Sequence, residues 1–327
     1  MLFIKRVQTD PYFNLAAEEY LLKEFQEDTF SLWRNERAVV IGKHQNTLAE
    51  INPVFVKDAN IKVVRRFSGG GAVFHDLGNL NFTYTRTISD RSLIYFRMFM
   101  EPLLEVLRNM GIDARLDGKS DMTITGKKFS GNAMHIWKNK VLHHGTLLFS
   151  SDLSDLRQAL QSDRSRFDDK AVKSRYTSVT NIIDHLKEPI DIRTFAERIQ
   201  QHMISLYPGT HQYDWNEEDI RNIMSLIDKK YAKWEWNYGY SPKYKVHRVL
   251  RARPETTLEL ILHVQDGIIR DVRILGNGFN EHDSEEIKQA LTGIAHREEH
   301  IKKALYSLLI HDNFAHLDLE ELLACIF

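Results

Sequence analysis

Apolar positions along this chain recur with two periods, near 3.6 and near 2, and the switches between them mark its elements. "YFNLAAEEYLLKEF" has helical spacing, with Asp10 placed to cap it and Pro11 in its first turn, so an amphipathic helix is predicted. "TFSLWRN" and "AVVIGKH" predict two strands about a polar "NER" turn. "IKVVRRF" predicts another, ending at Arg65-Arg66 before a glycine triplet. "AVFH" and "LNFTYTR" are strand-like again, and "IYFRMFMEPLLEVLRNMG" is helical with Gly111 as its stop. "DMTITGKKFSGNAMHIWKNKVLHHGTLLFS" predicts short strands with turns at Gly126-Lys127 and Lys138-Asn139-Lys140. From Asp152 to about Lys230 the pattern predicts mostly helix, broken at "LKEPID" and "YPGTHQYDW". Gly239 and Pro242 interrupt "KWEWNYGYSPKY". Three strand-like runs, "YKVHRVLRA", "TLELILHVQ" and "IIRDVRIL", then lead into helices from "SEEIKQALTG" onward. The expected organisation is a large domain over residues 1–244 and a small α+β domain over 245–327.

Composition narrows the class. The 327 residues are 43% hydrophobic and 27% charged, as in packed globular proteins. A net charge of −1 does not suggest a nucleic-acid partner. Residues 1–150 nevertheless carry 20 Lys+Arg against 16 Asp+Glu, which reads either as ordinary surface scatter or as a surplus that suits the first half to an anion. No apolar run reaches about 18 residues, so no membrane span is expected. The start "MLFIKRVQTDPYFN" lacks the form of a secretory signal. Cys325 is the single cysteine, which excludes an internal disulfide and points to a cytoplasmic protein.

The candidate chemistry begins at "RRFSGGGAVFHDLGNLNF". Gly69-Gly70-Gly71 can reach positive φ and lets a ligand approach the backbone, whose consecutive N–H groups can cradle an anion. Arg66 could grip a phosphate with two N–H groups, and Ser68 adds a hydroxyl. A glycine-rich hairpin without a ligand has the same signature. The segment continues into strand, so it is not a Rossmann turn, and Asp113 stands where a P-loop ending at Gly118-Lys119-Ser120 needs glycine. Lys127 and Lys128 open "KKFSGNAMH", which could equally be an exposed hairpin tip. A metal site on His75, His135, His143 and His144 is disfavoured, because the usual ligand spacings are missing. Cys325, in "LLACIF", reads as an apolar helix residue rather than a nucleophile.

Several ordered motifs together resemble the lipoate–protein ligases over nearly the whole chain. "DPYFNLAAEE", "WRNERAVVIGKHQN", "RRFSGGGAVFHDLGNLNF", "GKKFSGNA", "HHGTLLF" and "WEWNYG" are each similar to a family segment. The resemblance implies a biotin/lipoate protein ligase-like catalytic domain, α/β (α+β) in class with mixed sheets flanked by helices, and a C-terminal accessory domain. It implies that lipoate and ATP, with Mg2+, give lipoyl-AMP and pyrophosphate. The lipoyl group would then pass to a lysine on a carrier, such as a 2-oxoacid dehydrogenase acyltransferase subunit or the glycine-cleavage H protein. Carried over residue by residue, Arg66 would meet the nucleotide phosphate. Gly71, Ala72, Val73 and Phe74 would line the site through their backbone, and His75 and Asp76 would border it. Lys128 would contact both acyl group and nucleotide, and Asp121 would lie near the nucleotide. Ser120 stands where the family commonly has Asn.

The chemistry is consistent with that assignment. A carboxylate attacking the α-phosphate brings two negative charges together, which fixed cations and backbone donors stabilise. The rivals are an acyl-cysteine transferase of the same superfamily, a biotin–protein ligase, and a non-catalytic lipoate- or carrier-binding relative. Cys325 lies far from every motif, and "RRFSGGG" replaces the glycine-arginine loop of the biotin enzymes.

Overall fold

The computed structural model describes residues 1–88, 95–253, 256–277, 281–311, 322–323 and 326–327. The chain forms two compact units, Met1–Lys43 with Ala59–Leu160 and Ser174–Lys233, and His44–Asp58 with Gln161–Lys173 and Trp234–Phe327. In chain order the elements begin β1 (Leu2–Lys5), α1 (Pro11–Glu24), β2 (Thr29–Trp33), β3 (Ala38–Ile41), α2 (Pro53–Asp58), β4 (Lys62–Arg65), β5 (Val73–His75) and β6 (Asn79–Thr87). Next come α3 (Arg97–Asn109), β7 (Ala114–Asp117), β8 (Asp121–Ile124), β9 (Lys127–Trp137), β10 (Lys140–Leu148), α4 (Leu153–Leu160) and β11 (Phe167–Asp169). The last are α5 (Ile192–Leu206), β12 (His211–Tyr213), α6 (Glu217–Leu226), β13 (Tyr244–Arg253), β14 (Thr256–Gln265), β15 (Ile268–Gly276), α7 (Glu281–Leu291) and α8 (Glu298–His311).

The first unit holds an eight-stranded mixed sheet, β12-β1-β2-β6-β10-β9-β8-β7, and a three-stranded sheet, β4-β3-β5. A core of Phe82, Tyr84, Phe99, Leu103, Leu107, Phe149 and Phe195 packs between the large sheet and the helices α3 and α5. In the second unit, β11-β13-β14-β15 form a four-stranded sheet. Leu258, Leu260, Leu262 and Val264 are buried at every second position of β14, the alternation of a sheet with one covered face. The architecture is therefore the mixed α/β arrangement with flanking helices that the family resemblance implied. No helix among the described residues is long and apolar enough to cross a membrane.

Two expectations fail for physical reasons. Helix α1 begins as predicted, with Asp10 Oδ1 accepting from the Phe13 N–H at 2.9 Å. It is not amphipathic, however, since every residue from Phe13 to Leu22 is buried, including Asn14, Glu18 and Glu19. These polar groups are paired inside the protein, so burial extends around the helix. Residues 161–185, expected to be helical, contain only β11 and short 3-10 turns at Arg164–Arg166 and Ile182–His185. Part of this backbone is held from outside, the Lys128 N–H donating to Ser178 O at 2.9 Å and the Thr180 N–H to Lys128 O at 3.0 Å. Cys325 lies outside the described residues.

Glu19 shows what such pairing is worth. Its carboxylate accepts from Lys23 Nζ, Lys230 Nζ and Tyr231 Oη, each at 2.6 Å. Burial alone would raise its pKa, but these three donors outweigh burial and hold it at about 2 rather than 4.5. The resulting stabilisation, on the order of 3 kcal/mol, is complete above the unfolded value and is lost as pH falls towards the folded one. Urea midpoints measured from about pH 7 down to about pH 3 are expected to fall more steeply in wild type than in Glu19→Gln; parallel curves would show that the pairing adds nothing.

Candidate active site

The glycine segment is organised by two arginines at the end of β4. Arg66 Nε donates to Ser68 Oγ at 3.1 Å, Nη1 to Val40 O at 3.1 Å, and Nη2 to the carbonyls of Gly69 and Gly71, each at 2.7 Å. Burial lowers its pKa to about 10, with Glu18 opposing the shift, so it is cationic at neutral pH. In this state the guanidinium folds the loop around itself. Gly70 sits at φ +92°, and a side chain there would strain the backbone and meet Arg66 Nη2 at 2.9 Å. Gly42, just after β3, is constrained by space alone, because a Cβ there would overlap Gly70 O. Arg65 is fully buried and donates to the carbonyls of Gly42 and Lys43. It is thus a structural cation, and replacing it is no mild control for replacing Arg66.

Behind the loop runs a buried polar chain that the sequence did not single out. Ser68 Oγ and His144 Nε2 are 2.6 Å apart, and His144 Nδ1 lies 2.9 Å from both carboxylate oxygens of Glu18. Thr83 Oγ1 donates to Glu18 at 2.5 Å and accepts from Trp33 Nε1 at 2.8 Å. The available signal was the acidic pair of "AAEEY" inside an otherwise apolar run.

Lys128 is half-buried, and its Nζ lies 2.9 Å from Asp121 Oδ1. A register shift between Met122 and Thr123 places Lys128 opposite Thr123 and turns the strand beside it. Gly131 leaves the space that the ammonium uses, since a Cβ there would meet Nζ at 3.0 Å. Lys127 is exposed. The glycine loop and β9 are neighbours: Phe67 packs edge-on against His135 with ring centroids 5.0 Å apart. A Cβ on Gly70 would stand 4.0 Å from that of Ala133. The stretch from Ser174 to Thr180 then touches both motifs. Ser174 Oγ accepts from the Ala72 N–H at 2.7 Å, and Ser178 O accepts from the Lys128 N–H.

The other expected residues divide. Gly71, Ala72 and Val73 are partly exposed, on the loop and the outer strand β5 of the small sheet. Phe74 is buried and paired with Val39. His75 is buried with its Nδ1 3.0 Å from Asn35 Nδ2. Asp76 caps backbone, accepting from the N–H groups of Gly78 and Asp152 at 2.9 and 2.7 Å. Ser120 O accepts from Asn132 N and Nδ2, which pins the start of β8 to β9. His143, named above in the disfavoured metal site, is a core ring, stacked 4.7 Å from Phe99 and bonded through Nε2 to Asn132 Oδ1 at 3.1 Å. Among the described residues, no group of three or more His, Cys, Asp and Glu is placed to hold a metal ion.

Comparison with known proteins gives this geometry a family. Residues 10–204 match the model of the lipoyl protein ligase A/B catalytic domain, and residues 241–326 that of the bacterial lipoate protein ligase C-terminus. The chain is 37% identical to lipoate–protein ligase 1 of Staphylococcus aureus, covering 96% of each sequence. It is 34% identical to the lipoate-protein ligase LplJ of Bacillus subtilis over 100% of both. Among solved structures it resembles LipL1 of P. falciparum in complex with lipoate, with TM-score 0.60, 27% identity and 94% of each chain covered. A lipoate-protein ligase A bound with ATP aligns at TM-score 0.61 and 27% identity, covering 73% of this chain and 98% of that one. A bipartite lipoate protein ligase with its E2 lipoyl domain, from Thermoplasma acidophilum, aligns at TM-score 0.63 and 27% identity, covering 73% and 96%. With both family models matched in order and two relatives aligned end to end, the chain belongs to the lipoate–protein ligase family.

Proposed function

We propose that this chain joins lipoate to ATP as lipoyl-AMP, releasing pyrophosphate, and then transfers the lipoyl group to a carrier lysine. The observation that carries this reading is the stretch from Ser174 to Thr180, which touches both the Ala72 amide and the Lys128 backbone. It brings an arginine-organised glycine loop and a half-buried lysine to one site. In the first step a lipoate carboxylate oxygen attacks the α-phosphorus and pyrophosphate leaves. Lys128 lies between the two anions and neutralises them, while Asp121 holds its ammonium in place. The backbone from Gly71 to Phe74 lines the nucleotide site, and the Arg66 charge lies behind it and exchanges a carbonyl partner for phosphate. In the second step the carrier amine attacks the acyl carbon, AMP leaves, and the amine gives up a proton. Magnesium, which neutralises phosphate charge when bound, commonly uses one or two carboxylates plus substrate phosphates. The residues here fit only that mode, with Asp121 as the acidic side chain beside Lys128.

The carriers proposed are lipoyl domains of 2-oxoacid dehydrogenase acyltransferase subunits and the glycine-cleavage H protein, in line with the E2 lipoyl domain of the Thermoplasma system. We further assign residues 1–244 to catalysis and 245–327 to an accessory domain. Lipoate-dependent exchange of pyrophosphate into ATP tests the first step directly, and its absence would overturn the reading.

Removing one preorganised electrostatic group costs roughly 10²–10³ in rate. Lys128→Ala is therefore expected to lose lipoate-dependent pyrophosphate release on that scale, whereas Lys127→Ala keeps most of it. Lys128→Arg should recover only part, because a planar guanidinium does not reproduce a compact ammonium. Near-wild-type turnover in a folded Lys128→Ala protein would remove this lysine from the mechanism.

Arg66→Ala is expected to weaken ATP binding more than lipoate binding, by on the order of 1.5–3 kcal/mol in calorimetry. Thermal melting of the same variant separates loop collapse from loss of a phosphate contact. Equal losses for the two ligands would count against a phosphate role.

A further inference from the structure

His75 sits at the end of a hydrogen-bond chain whose direction can be deduced. Arg6 Nη2 lies 2.8 Å from Asn14 Oδ1. A guanidinium only donates, so the Asn14 amide must turn its oxygen to Arg6 and its nitrogen away. Asn14 Nδ2 accordingly donates to Asn35 Oδ1 at 2.8 Å. With that oxygen engaged, Asn35 presents its Nδ2–H to His75 Nδ1 at 3.0 Å. Nδ1 must then be the lone-pair nitrogen, and in a neutral ring the proton lies on Nε2. Burial, reinforced by Arg66 and His144, lowers the His75 pKa to about 3, so the ring is neutral in the physiological range. All four residues are buried, and His75 Nε2 is a buried atom without a hydrogen-bond partner. Folded proteins rarely leave such a donor unpaired.

We propose that Arg6, Asn14 and Asn35 are positioning residues that hold His75 as the Nε2–H tautomer, so that it donates to an oxygen of the carboxyl group being activated. The inference rests on the adenylate-forming reading above. The neutral ring suits this site, because Arg66 already supplies fixed positive charge nearby. A neutral donor adds a directed hydrogen bond without a second desolvated cation, and a ring held by its neighbour needs no reorganisation as charge develops.

Asn35→Asp reverses the chain at its last link. A carboxylate can only accept, so His75 would carry its proton on Nδ1, as the other tautomer or as imidazolium. The test is long-range 1H–15N NMR on the full chain labelled with 15N-histidine, beside kinetics of lipoate-dependent exchange. Wild-type His75 should show a protonated Nε2 and a bare Nδ1 across the neutral range, and Asn35→Asp should protonate Nδ1. Lipoate alone should shift the Nε2–H resonance. A shift with a non-hydrolysable ATP analogue but not with lipoate would place the donor on a phosphoryl oxygen and overturn the assignment to the carboxyl group.

Asn35→Asp and His75→Ala should each lower kcat by about 10²–10³, and the double variant should be no slower than His75→Ala. An Nδ1–H tautomer in wild type, additive losses, or an Nε2–H resonance unmoved by both ligands would overturn the proposal. The last result would mean that the donor holds only water. The wild-type spectrum decides the tautomer even if a variant fails to fold. Wild-type protein without lipoate-dependent exchange would overturn the adenylation reading instead, and the tautomer would still be read.

Discussion

A carboxylate with no access to water, Glu18, is the constraint on which the candidate site depends. Burial by itself would push its pKa up and favour the neutral acid. His144, Arg6 and the Thr83 hydroxyl together outweigh burial and keep the pKa below its ordinary value. A buried anion of this kind is tolerated only with good partners, and each partner belongs to a different element. Arg6 follows β1, Thr83 lies in β6 and His144 in β10. From His144 the chain reaches Ser68, then Arg66, then the carbonyls that give the glycine loop its course. The shape of the loop is thus set by a charge on a helix remote in sequence.

The neighbouring Glu19 serves the other side of the same helix, where Lys230 and Tyr231 meet it from a π-helical turn at Ile227–Tyr231. Two consecutive acids on one buried helix therefore anchor two regions. This explains why α1 has no solvent face despite a sequence that alternates like one.

The proposed chemistry needs cations that do not move as charge develops. Arg66 and Lys128 are held differently. Arg66 is buried and surrounded by backbone carbonyls, so its orientation is fixed by hydrogen bonds of known direction. Lys128 is half-buried, held by one carboxylate and by the space that Gly131 leaves. The second arrangement suits a compact ammonium that must face two anions in turn. The first suits a loop whose amides must keep their aim.

By itself the sequence determined the elements with strong local signals: the capped start of α1, the alternating strands from β8 to β10, and the period-2 burial of β14. It also determined the ordered motifs that mark the family, because backbone preference and residue identity are local properties. It did not reveal that residues 161–185 lack a long helix, since their course is held partly by hydrogen bonds to backbone far away in the chain. Nor did it reveal that Glu18, His144 and Asn35 support the loop and His75, that Arg65 is wholly buried, or that His143 is a core ring. A charged or amide side chain looks the same in a sequence whether it faces water or a buried partner. Only the tertiary structure decides, because the partners are brought within 3 Å by elements that are distant along the chain.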